Sequence, residues 1–342
     1  MKLVIDQSIP FIKGVFEPYS EVVYRDCIDR EDCLDADGLI ILSRTKCNES
    51  LLSGSAVKMI AIAAIGTDNV DQAYCRANNI FVSNAAGCNA GGTMNYVFSA
   101  LYGAASRKSV PISGATMGIV GLGQVGTRVE GMARHLGFKV LLNDPPRAMQ
   151  EGDVQYVPLD YLLANSDIVT MHVPLDAGTK GMADADFFAR MKFGAFFINT
   201  ARGEIVDENA LMDALPKLGP VILDTWNNEP NVNAELVKRV DIATPHIAGY
   251  SYQGKQRGTA SAVRSVARFF KIEALYEFFP PTDVKELEAA RLDLSGMTQG
   301  QIASVFQYNY PVFTDDFMFR VAPEDFEKLR TNYNYRREYY IK

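Results

Sequence analysis

The chain has 342 residues, of which 48% are hydrophobic and 22% charged, so it is a globular protein too long for one ordinary core. Its net charge of −7 excludes the basic surface that nucleic acids and anionic membranes require, and we expect neither as a partner. The 5 cysteines form no C-x-x-C motif, which favours free thiols over a disulfide framework or a metal site. In the opening MKLVIDQSIP, Asp6 follows only three apolar residues, too few for the hydrophobic region of a signal peptide, so we expect a cytoplasmic protein.

Short apolar runs alternate with helical patterns along the chain, which predicts parallel α/β architecture. The first series of predicted strands is LVID (3–6), GLIIL (38–42), KMIAIAA (58–64) and IFVS (80–83), with a helix over 68–79. After Gly91 a second series comprises TMGIVG (116–121), KVLLND (139–144), DIVTMHV (167–173), GAFFINT (194–200), GPVILD (219–224) and VDIATPH (240–246). Strands buried on both faces of a sheet have such continuous apolar runs. We therefore predict two Rossmann-like or flavodoxin-like parallel-sheet lobes with a cleft between them.

The chain changes character after about residue 285. SVFQYNYPVFTDDF (304–317) is strand-like, and NYNYRREYYIK (332–342) is aromatic and charged. Disordered tails are poor in aromatic residues, whereas subunit interfaces are rich in them. We therefore predict a small α+β C-terminal dimerisation domain over 286–342 and a homodimer. The alternative is a flap packed on the α/β core of its own subunit.

The motif GLGQVG follows the strand TMGIVG and opens an amphipathic helix that ends at Gly137. Gly121 permits a tight turn, Gly123 lets a pyrophosphate approach the backbone, and Gly126 lets helix and strand pack closely. The intervening Gln124 and Val125 begin the helix, whose N-terminal N–H groups bind phosphate. Because a second strand and an acidic residue follow within about thirty residues, the motif predicts dinucleotide binding. A purely structural glycine turn is the alternative.

Asp144 ends that second strand, at the distance expected for a carboxylate that binds a ribose diol. Its charge would repel a 2′-phosphate, which favours NAD over NADP as cofactor. Arg147 lies three residues further on and either softens that preference or is a solvated surface residue.

Three later predicted strands are each followed by a polar residue of a type common in active sites. Arg202 follows GAFFINT, Glu229 follows GPVILD, and His246 follows VDIAT. Ligands of open α/β sheets bind outside the carboxyl ends of the strands, so these residues are expected to converge. Histidine suits proton transfer near neutral pH, a carboxylate orients the imidazole, and arginine binds a carboxylate through two parallel hydrogen bonds. Singly, each residue also has an ordinary structural explanation.

At these residues the chain resembles the D-isomer-specific 2-hydroxyacid dehydrogenase family. NTARGEIVDENAL, DTWNNEP and TPHIAG are similar to its arginine, glutamate and histidine signatures, in the same order and spacing. The resemblance implies an NAD-binding domain over 91–254, a substrate domain over 1–90 and 255–285, and a catalytic set of Arg202, Glu229 and His246. It implies further contacts with NAD at Asp144, Val173, Asp224 and Gly249.

The chain also resembles a narrower group of that family, which oxidises 4-phospho-D-erythronate with NAD in pyridoxine biosynthesis. SRTKCNESLL, SNAAGCNAGGTMNYVFSAL, TPHIAGYSYQGKQRGT and EKLRTNYNYRREY carry this resemblance over nearly the whole chain. It implies a substrate site that includes Ser43, Ala64, Arg202 and Tyr250. The family usually has threonine where Ala64 and Val173 stand, so contact at these positions is expected through the main chain. For the phosphate, SRTK offers Arg44 and Lys46.

Two other functions agree with the sequence. One is a dehydrogenase for glycerate, 3-phosphoglycerate or a related acid. The other is an NAD-sensing corepressor or scaffold, which would not need the complete set of arginine, glutamate and histidine. Of the remaining histidines, His172 is expected to be structural near the cofactor, and His135 to lie on the surface.

Overall fold

The computed structural model describes residues 1–152, 155–282 and 285–342. The chain forms two compact units, one of Met1–Asn89 with Ser251–Glu288 and the other of Ala90–Tyr250 with Ala289–Lys342. Within these described ranges, every helix is too short or too polar to cross a membrane. The cysteines are free thiols, as predicted, and all except Cys27 are buried.

Two parallel sheets and a small strand pair make up the β-structure. The strands, in chain order, are β1 Lys2–Asp6, β2 Glu21–Arg25, β3 Gly38–Ile41, β4 Met59–Ile62, β5 Phe81–Asn84, β6 Thr116–Val120, β7 Lys139–Asn143, β8 Ile168–Met171, β9 Phe196–Asn199, β10 Val221–Leu223, β11 Ile242–Ala243, β12 Ala290–Leu292 and β13 Tyr339–Ile341. Every run that the sequence predicts as a strand of the two lobes forms one. The strand β2 was not predicted.

Helices connect these strands and follow them at the C-terminus. In chain order they are α1 Arg30–Cys33, α2 Glu49–Leu52, α3 Gln72–Ala77, α4 Ala90–Arg107, α5 Gln124–His135, α6 Pro145–Glu151, α7 Leu159–Asn165, α8 Ala185–Arg190, α9 Glu208–Ala214, α10 Ala234–Arg239, α11 Tyr252–Phe270, α12 Gln299–Asn309, α13 Val312–Val321 and α14 Phe326–Thr331. Single 3₁₀ turns separate several of them.

The first unit contains a parallel sheet with the strand order β2-β1-β3-β4-β5. Its central strands β3 and β4 are buried along their whole length, as expected when helices cover both faces. The long helix α11 packs on this sheet through its alanine and valine side chains. The carboxyl ends of β3 and β4 therefore lie side by side.

The second unit contains a parallel sheet with the strand order β11-β10-β9-β8-β6-β7. Beyond β7, Tyr156 forms a single parallel bridge with Leu142 and extends the sheet by one position. The chain order reverses at β6, which lies between β7 and β8. Such a switch point places a ligand site at the carboxyl end of β6.

The strand-like interpretation of residues 304–317 is wrong, because this segment forms the helices α12 and α13. Thr298 and Gln301 form a capping box that starts α12, and Pro311 separates the two helices. The buried residues Ala303, Phe306 and Tyr310 recur at helical spacing and pack into the core that α4 and the second sheet share. Burial on a helix surface thus outweighs the strand preference of phenylalanine, tyrosine and valine.

The C-terminal segment packs within the second unit rather than apart from it. Helix α13 lies against β11, the edge strand of the sheet, and Asp316 Oδ1 accepts a hydrogen bond from the Ala243 amide at 2.7 Å. Phe319 and Phe326 are fully buried in the core on that side of the sheet. The segment therefore protects a sheet edge that would otherwise expose backbone groups.

Candidate active site

The glycine-rich loop at the carboxyl end of β6 requires glycine at two of its positions. Gly121 has a φ of +89°, and a Cβ there would lie 2.8 Å from backbone atoms of His172 and Val173. A Cβ at Gly126 would lie 2.0 Å from the carbonyl oxygen of Gly121. The close packing of loop, helix and β8 that the motif predicts is therefore present, and it places Val173 beside the loop.

The third glycine faces open space. A Cβ on Gly123 would meet no atom of the described residues within 4 Å, and Gly123 is itself exposed as the N-cap of α5. Gln124 and Val125 follow as the first helical residues, whose N–H groups have no intrahelical acceptor. An open position beside such N–H groups fits the pyrophosphate of a dinucleotide.

Asp144 is fixed next to this loop. One carboxylate oxygen accepts from the Leu122 amide at 2.7 Å and the other from the Arg147 amide at 3.0 Å. The Arg147 guanidinium donates to the Leu122 carbonyl oxygen at 2.8 Å and to Glu151 at 2.7 Å. Arg147 is therefore not a freely solvated surface residue but a support of the loop.

His246 and Glu229 form a direct pair. Glu229 Oε2 lies 2.7 Å from His246 Nδ1, and Glu229 Oε1 accepts from the Trp226 amide at 2.9 Å. Their side chains are 28% and 21% exposed, so ligands can reach a pair that is otherwise enclosed. Because β10 and β11 are neighbours, the turns that follow them bring together residues 17 positions apart in sequence.

Electrostatics favour the ionised form of Glu229. Burial pushes the pKa of Glu229 upward, but the positive charge and hydrogen bond of His246 and the Trp226 amide together hold that pKa below its ordinary value. Glu229 is therefore a carboxylate at neutral pH. An ionised carboxylate at Nδ1 selects the tautomer with its proton on Nδ1 and leaves Nε2 free to accept a proton.

Asp224 holds the backbone of the histidine loop, which we define as residues 246–250. It is 1% exposed and accepts from the amides of Ile247 at 2.8 Å and Ala248 at 2.9 Å, and from the Thr244 hydroxyl at 2.6 Å. Burial raises its pKa despite these donors. His246 has a φ of +55°, a left-handed conformation that a β-carbon disfavours. The loop therefore depends on contacts beyond its own residues.

Arg202 lies in the turn after β9, next to the glutamate turn. Its guanidinium donates to the Ala201 carbonyl oxygen at 2.8 Å, and its own carbonyl oxygen accepts from Asn199 at 2.8 Å. The following Gly203 contacts the second turn so closely that a Cβ there would lie 1.9 Å from the Trp226 carbonyl carbon. Glycine at this position is what lets the arginine turn and the glutamate turn meet.

Tyr250 and Gly249 lie at the end of the histidine loop. The Tyr250 ring packs edge-on against Tyr333 and Tyr335, with centroid distances of 5.9 and 6.2 Å. The Arg330 guanidinium lies 5.9 Å from the same ring. Burial is the main reason that the pKa of Tyr250 is raised, so its hydroxyl stays protonated. The predicted substrate residue is thus enclosed by the C-terminal segment.

Ser43 and Ala64 belong to the first unit, where they follow the neighbouring strands β3 and β4. Ser43 is exposed, and the Ala64 carbonyl oxygen accepts from the Ala85 amide at 3.0 Å. Arg44 forms a forked pair with Asp6, with Nε–O and Nη–O distances of 2.9 and 2.6 Å. That these residues and those of the second unit face one ligand stays a prediction.

Sequence reasoning missed two residues that support the site through hydrogen bonds, Trp226 and Arg336. Trp226, the only tryptophan of the chain, is 1% exposed and donates from Nε1 to the Thr244 carbonyl oxygen at 2.8 Å. It thereby ties the glutamate turn to the strand that leads to His246. Its position inside the glutamate motif was the one available signal. Arg336 lies in the segment EKLRTNYNYRREY that carries the narrower resemblance, but nothing in that segment indicates which groups its side chain contacts.

Comparison with known proteins places the chain in a family. Residues 97–248 match the model of the NAD-binding domain of D-isomer-specific 2-hydroxyacid dehydrogenases. A relative from Bacteroides thetaiotaomicron named erythronate-4-phosphate dehydrogenase is 40% identical, with 99% of this chain and 97% of the relative aligned. The chain belongs to the erythronate-4-phosphate dehydrogenase family. A second member, from Escherichia coli O127:H6, is 39% identical over 99% of this chain and 92% of its own.

Solved structures agree with this assignment. The NAD-bound 3-phosphoglycerate dehydrogenase of Entamoeba histolytica is 28% identical and superposes with a TM-score of 0.68, covering 81% of this chain and 97% of its own. The predicted Rossmann-like α/β fold and the predicted family are therefore confirmed. The chain is an NAD-dependent 2-hydroxyacid dehydrogenase, and NAD is its cofactor.

Proposed function

We propose that the protein oxidises 4-phospho-D-erythronate to 2-oxo-3-hydroxy-4-phosphobutanoate with NAD, as a step of pyridoxine biosynthesis. The observation that carries the proposal is the 2.7 Å hydrogen bond between His246 and Glu229, beside the Arg202 turn. It occurs in a chain that aligns along 99% of its length with relatives named for this reaction.

In this proposal His246 Nε2 accepts the C2 hydroxyl proton of the substrate. Glu229 keeps the imidazole in the required tautomer and stabilises the imidazolium that forms, since its depressed pKa keeps it ionised. Arg202 binds the C1 carboxylate through its planar fork. NAD, when bound to the loop of Gly121, Gly123 and Gly126 and to Asp144, supplies the acceptor for the C2 hydrogen. Val173, Asp224 and Gly249 shape the cofactor side of the site.

Turnover with a panel of acids tests this proposal. Absorbance at 340 nm is followed with NAD and 4-phospho-D-erythronate, D-3-phosphoglycerate or D-glycerate. We expect the highest kcat/KM with 4-phospho-D-erythronate. A higher kcat/KM with either other acid would assign the enzyme to that substrate instead. Tight NAD binding without turnover of any acid would favour the corepressor or scaffold.

For the substrate phosphate we propose the SRTK turn of the first unit. Arg44 keeps guanidinium donors beyond the two that bind Asp6, and its side chain is 44% exposed. Arg44→Gln is expected to raise KM about tenfold for the phosphorylated acid but not for D-erythronate. Lys58→Gln is the matched control, because Lys58 also pairs with an aspartate, Asp37, in the same unit. An equal rise in KM for both acids would remove Arg44 from phosphate recognition. Ser43, Ala64 and Tyr250 complete the proposed substrate site.

We also propose a homodimer that forms through the C-terminal segment. Although α12 and α13 bury their inner faces in the second unit, large apolar side chains remain outside. Tyr308 is 83% exposed, Phe317 64%, Met318 50% and Val321 65%. Three of these four lie along one side of α13, the kind of contiguous apolar surface that subunit interfaces cover.

The dimer is tested without deleting the segment, since deletion would uncover the core that contains Phe306 and Phe319. Phe317→Asp with Val321→Asp is expected to give a folded monomer by light scattering. Phe193→Asp is the control, because Phe193 is 84% exposed elsewhere in the second unit. A double variant that remains dimeric would place the interface on another surface.

The free thiols lead us to propose a cytoplasmic location. Four of the five cysteines are buried without disulfides, and Cys27 is an exposed thiol. Unpaired thiols are typical of a reducing compartment. Cell fractionation with an antibody against the chain tests this directly, and recovery in a membrane or secreted fraction would contradict it.

A further inference from the structure

Arg336 makes an unusual set of contacts with the histidine loop. Its Nη1 donates to the carbonyl oxygens of Ile247 at 3.2 Å and Tyr250 at 2.8 Å, and its Nη2 donates to the Ala248 carbonyl oxygen. Nη2 also donates to the Gly92 carbonyl oxygen at the start of α4, at 3.1 Å. One guanidinium thus binds three of the five carbonyl groups of the loop and anchors them to a long helix.

Asp224 and Arg336 hold the loop in complementary ways. Asp224 accepts the amide N–H groups of Ile247 and Ala248, whereas Arg336 donates to the carbonyl groups of the same two residues. Backbone donors and acceptors are therefore both satisfied by buried side chains, and the guanidinium forms stronger hydrogen bonds than a neutral donor would. The loop conformation, including the left-handed φ of His246, is set from both sides.

The guanidinium is itself fixed in place. It lies 3.8 Å from the Tyr310 ring centroid, and its Nη1 donates to the Tyr333 hydroxyl at 3.3 Å. Both tyrosine hydroxyls donate to Asp315 Oδ2 at 2.8 Å, which fixes the two rings that contact the guanidinium. These residues all belong to the C-terminal segment, outside the range 97–248 that matches the family model.

We propose that Arg336 is a positioning residue for the reaction, which holds the histidine loop so that His246 and Tyr250 are presented to the substrate. The C-terminal segment is then part of the active site of its own chain, in addition to any role in dimerisation. The inference rests on the proposed function in that His246 is the acid/base. Misplacement of a catalytic group by about 1 Å costs on the order of 100-fold in rate.

The test is Arg336→Lys. Lysine keeps the positive charge, but its single ammonium group cannot reproduce the planar pair of donors, Nη1 and Nη2, that binds the loop carbonyl groups. We expect kcat with 4-phospho-D-erythronate to fall about 10- to 100-fold. The Kd of NAD should rise no more than about threefold, because Gly249 is the one loop residue in the proposed cofactor site and Arg336 does not contact the glycine-rich loop among its described hydrogen bonds.

Arg320→Lys is a matched control from the same segment. Like Arg336, Arg320 donates to backbone carbonyl oxygens, those of Val237 and Val240, but at the connection between α10 and β11; it also pairs with Asp316 at 2.8 Å. It should lose a similar amount of thermal stability and keep kcat within twofold of wild type. Equal kcat losses in the two variants, or an NAD Kd that rises with the loss in kcat, would reduce Arg336 to a general structural role.

Two further measurements test the proposal if Arg336→Lys does not fold or if wild type oxidises none of the acids. Tyr333→Phe removes one hydroxyl that binds Arg336 but keeps the ring against Tyr250, and we expect kcat to fall two- to fivefold. Amide hydrogen exchange of residues 247–250 should accelerate in Arg336→Lys and not in Arg320→Lys. That readout needs no substrate, so an inactive wild type would overturn the proposed function and still leave the loop contact measurable. Unchanged exchange would overturn the positioning role.

Discussion

The glycine-rich loop and the histidine loop both lie at carboxyl ends of the same sheet, yet they are held in opposite ways. The first is shaped by its own glycines and by Asp144, which is 22 residues from its partner Leu122. The second is held by Asp224 from 23 residues before and by Arg336 from 86 to 89 residues after. A local sequence motif therefore describes the first loop almost completely, whereas the second is a product of tertiary structure.

The largest expected effect tests the chemistry of the histidine loop. His246→Gln should lower kcat by about 10²–10⁴, the usual contribution of a positioned acid/base. The Kd of NAD should not change, because the glycine-rich loop is independent of His246. Stopped-flow or steady-state turnover at saturating NAD measures the first quantity and fluorescence titration the second. Turnover close to that of wild type would remove His246 from the mechanism.

The next effect tests the glycine-rich loop from within. Gly126→Ala places a Cβ 2.0 Å from the Gly121 carbonyl oxygen, so helix and loop must separate. We expect the NAD Kd to rise at least tenfold and the free energy of unfolding to fall by about 1–3 kcal/mol. Gly131→Ala in the same helix is the control, since a Cβ there meets no described atom within 4 Å and alanine favours helix. An unchanged Kd in Gly126→Ala would contradict the close packing.

The same contrast explains what the sequence could predict. Strands with continuous apolar runs, GLGQVG, and the positions of Arg202, Glu229 and His246 were all visible locally, and the structure brings Glu229 and His246 into contact. The edge strand β2 was missed although EVVYR contains a short apolar run, Val22 to Tyr24; it lies at the sheet edge and is only partly buried. The helices of the C-terminal segment were missed because their conformation depends on packing against α4 and β11. Arg336 was missed because its acceptors are backbone groups remote in sequence.

A smaller effect concerns cofactor choice beside the glycine-rich loop. Asp144→Asn removes the charge that repels a 2′-phosphate but keeps an oxygen for the Leu122 or Arg147 amide, whereas Asp144→Ala removes both. Each variant should raise the ratio of NADP to NAD turnover about tenfold, and only the alanine variant should also weaken NAD binding strongly. The ratio of kcat/KM for the two cofactors measures this. If it stays constant, Asp144 does not contact the ribose.

The smallest effect is on stability and arises at the junction of the glycine-rich loop with β8. Burial lowers the pKa of His172 to about 3, so the ring is neutral in the folded protein, while in the unfolded chain it binds a proton below about pH 6.5. The stabilisation that this provides is complete above the unfolded pKa and is lost as the pH falls toward the folded one.

Urea unfolding at pH 7.5 and pH 5 isolates this contribution. A fully buried neutral histidine would lower the free energy of unfolding by at most about 1.4 kcal/mol per pH unit below its unfolded pKa. Because the His172 side chain is partly exposed, we expect a smaller slope. Between pH 7.5 and pH 5, wild type should lose about 1 kcal/mol more of its free energy of unfolding than His172→Gln. His135→Gln, at the exposed end of α5, should lose stability on acidification as wild type does. If the free energy of unfolding falls equally in wild type and His172→Gln, His172 binds a proton at pH 5 as readily in the folded protein as in the unfolded chain. The glycine-rich loop would then pack against a solvated histidine, and its conformation would have to be held by the glycines, Asp144 and Arg147.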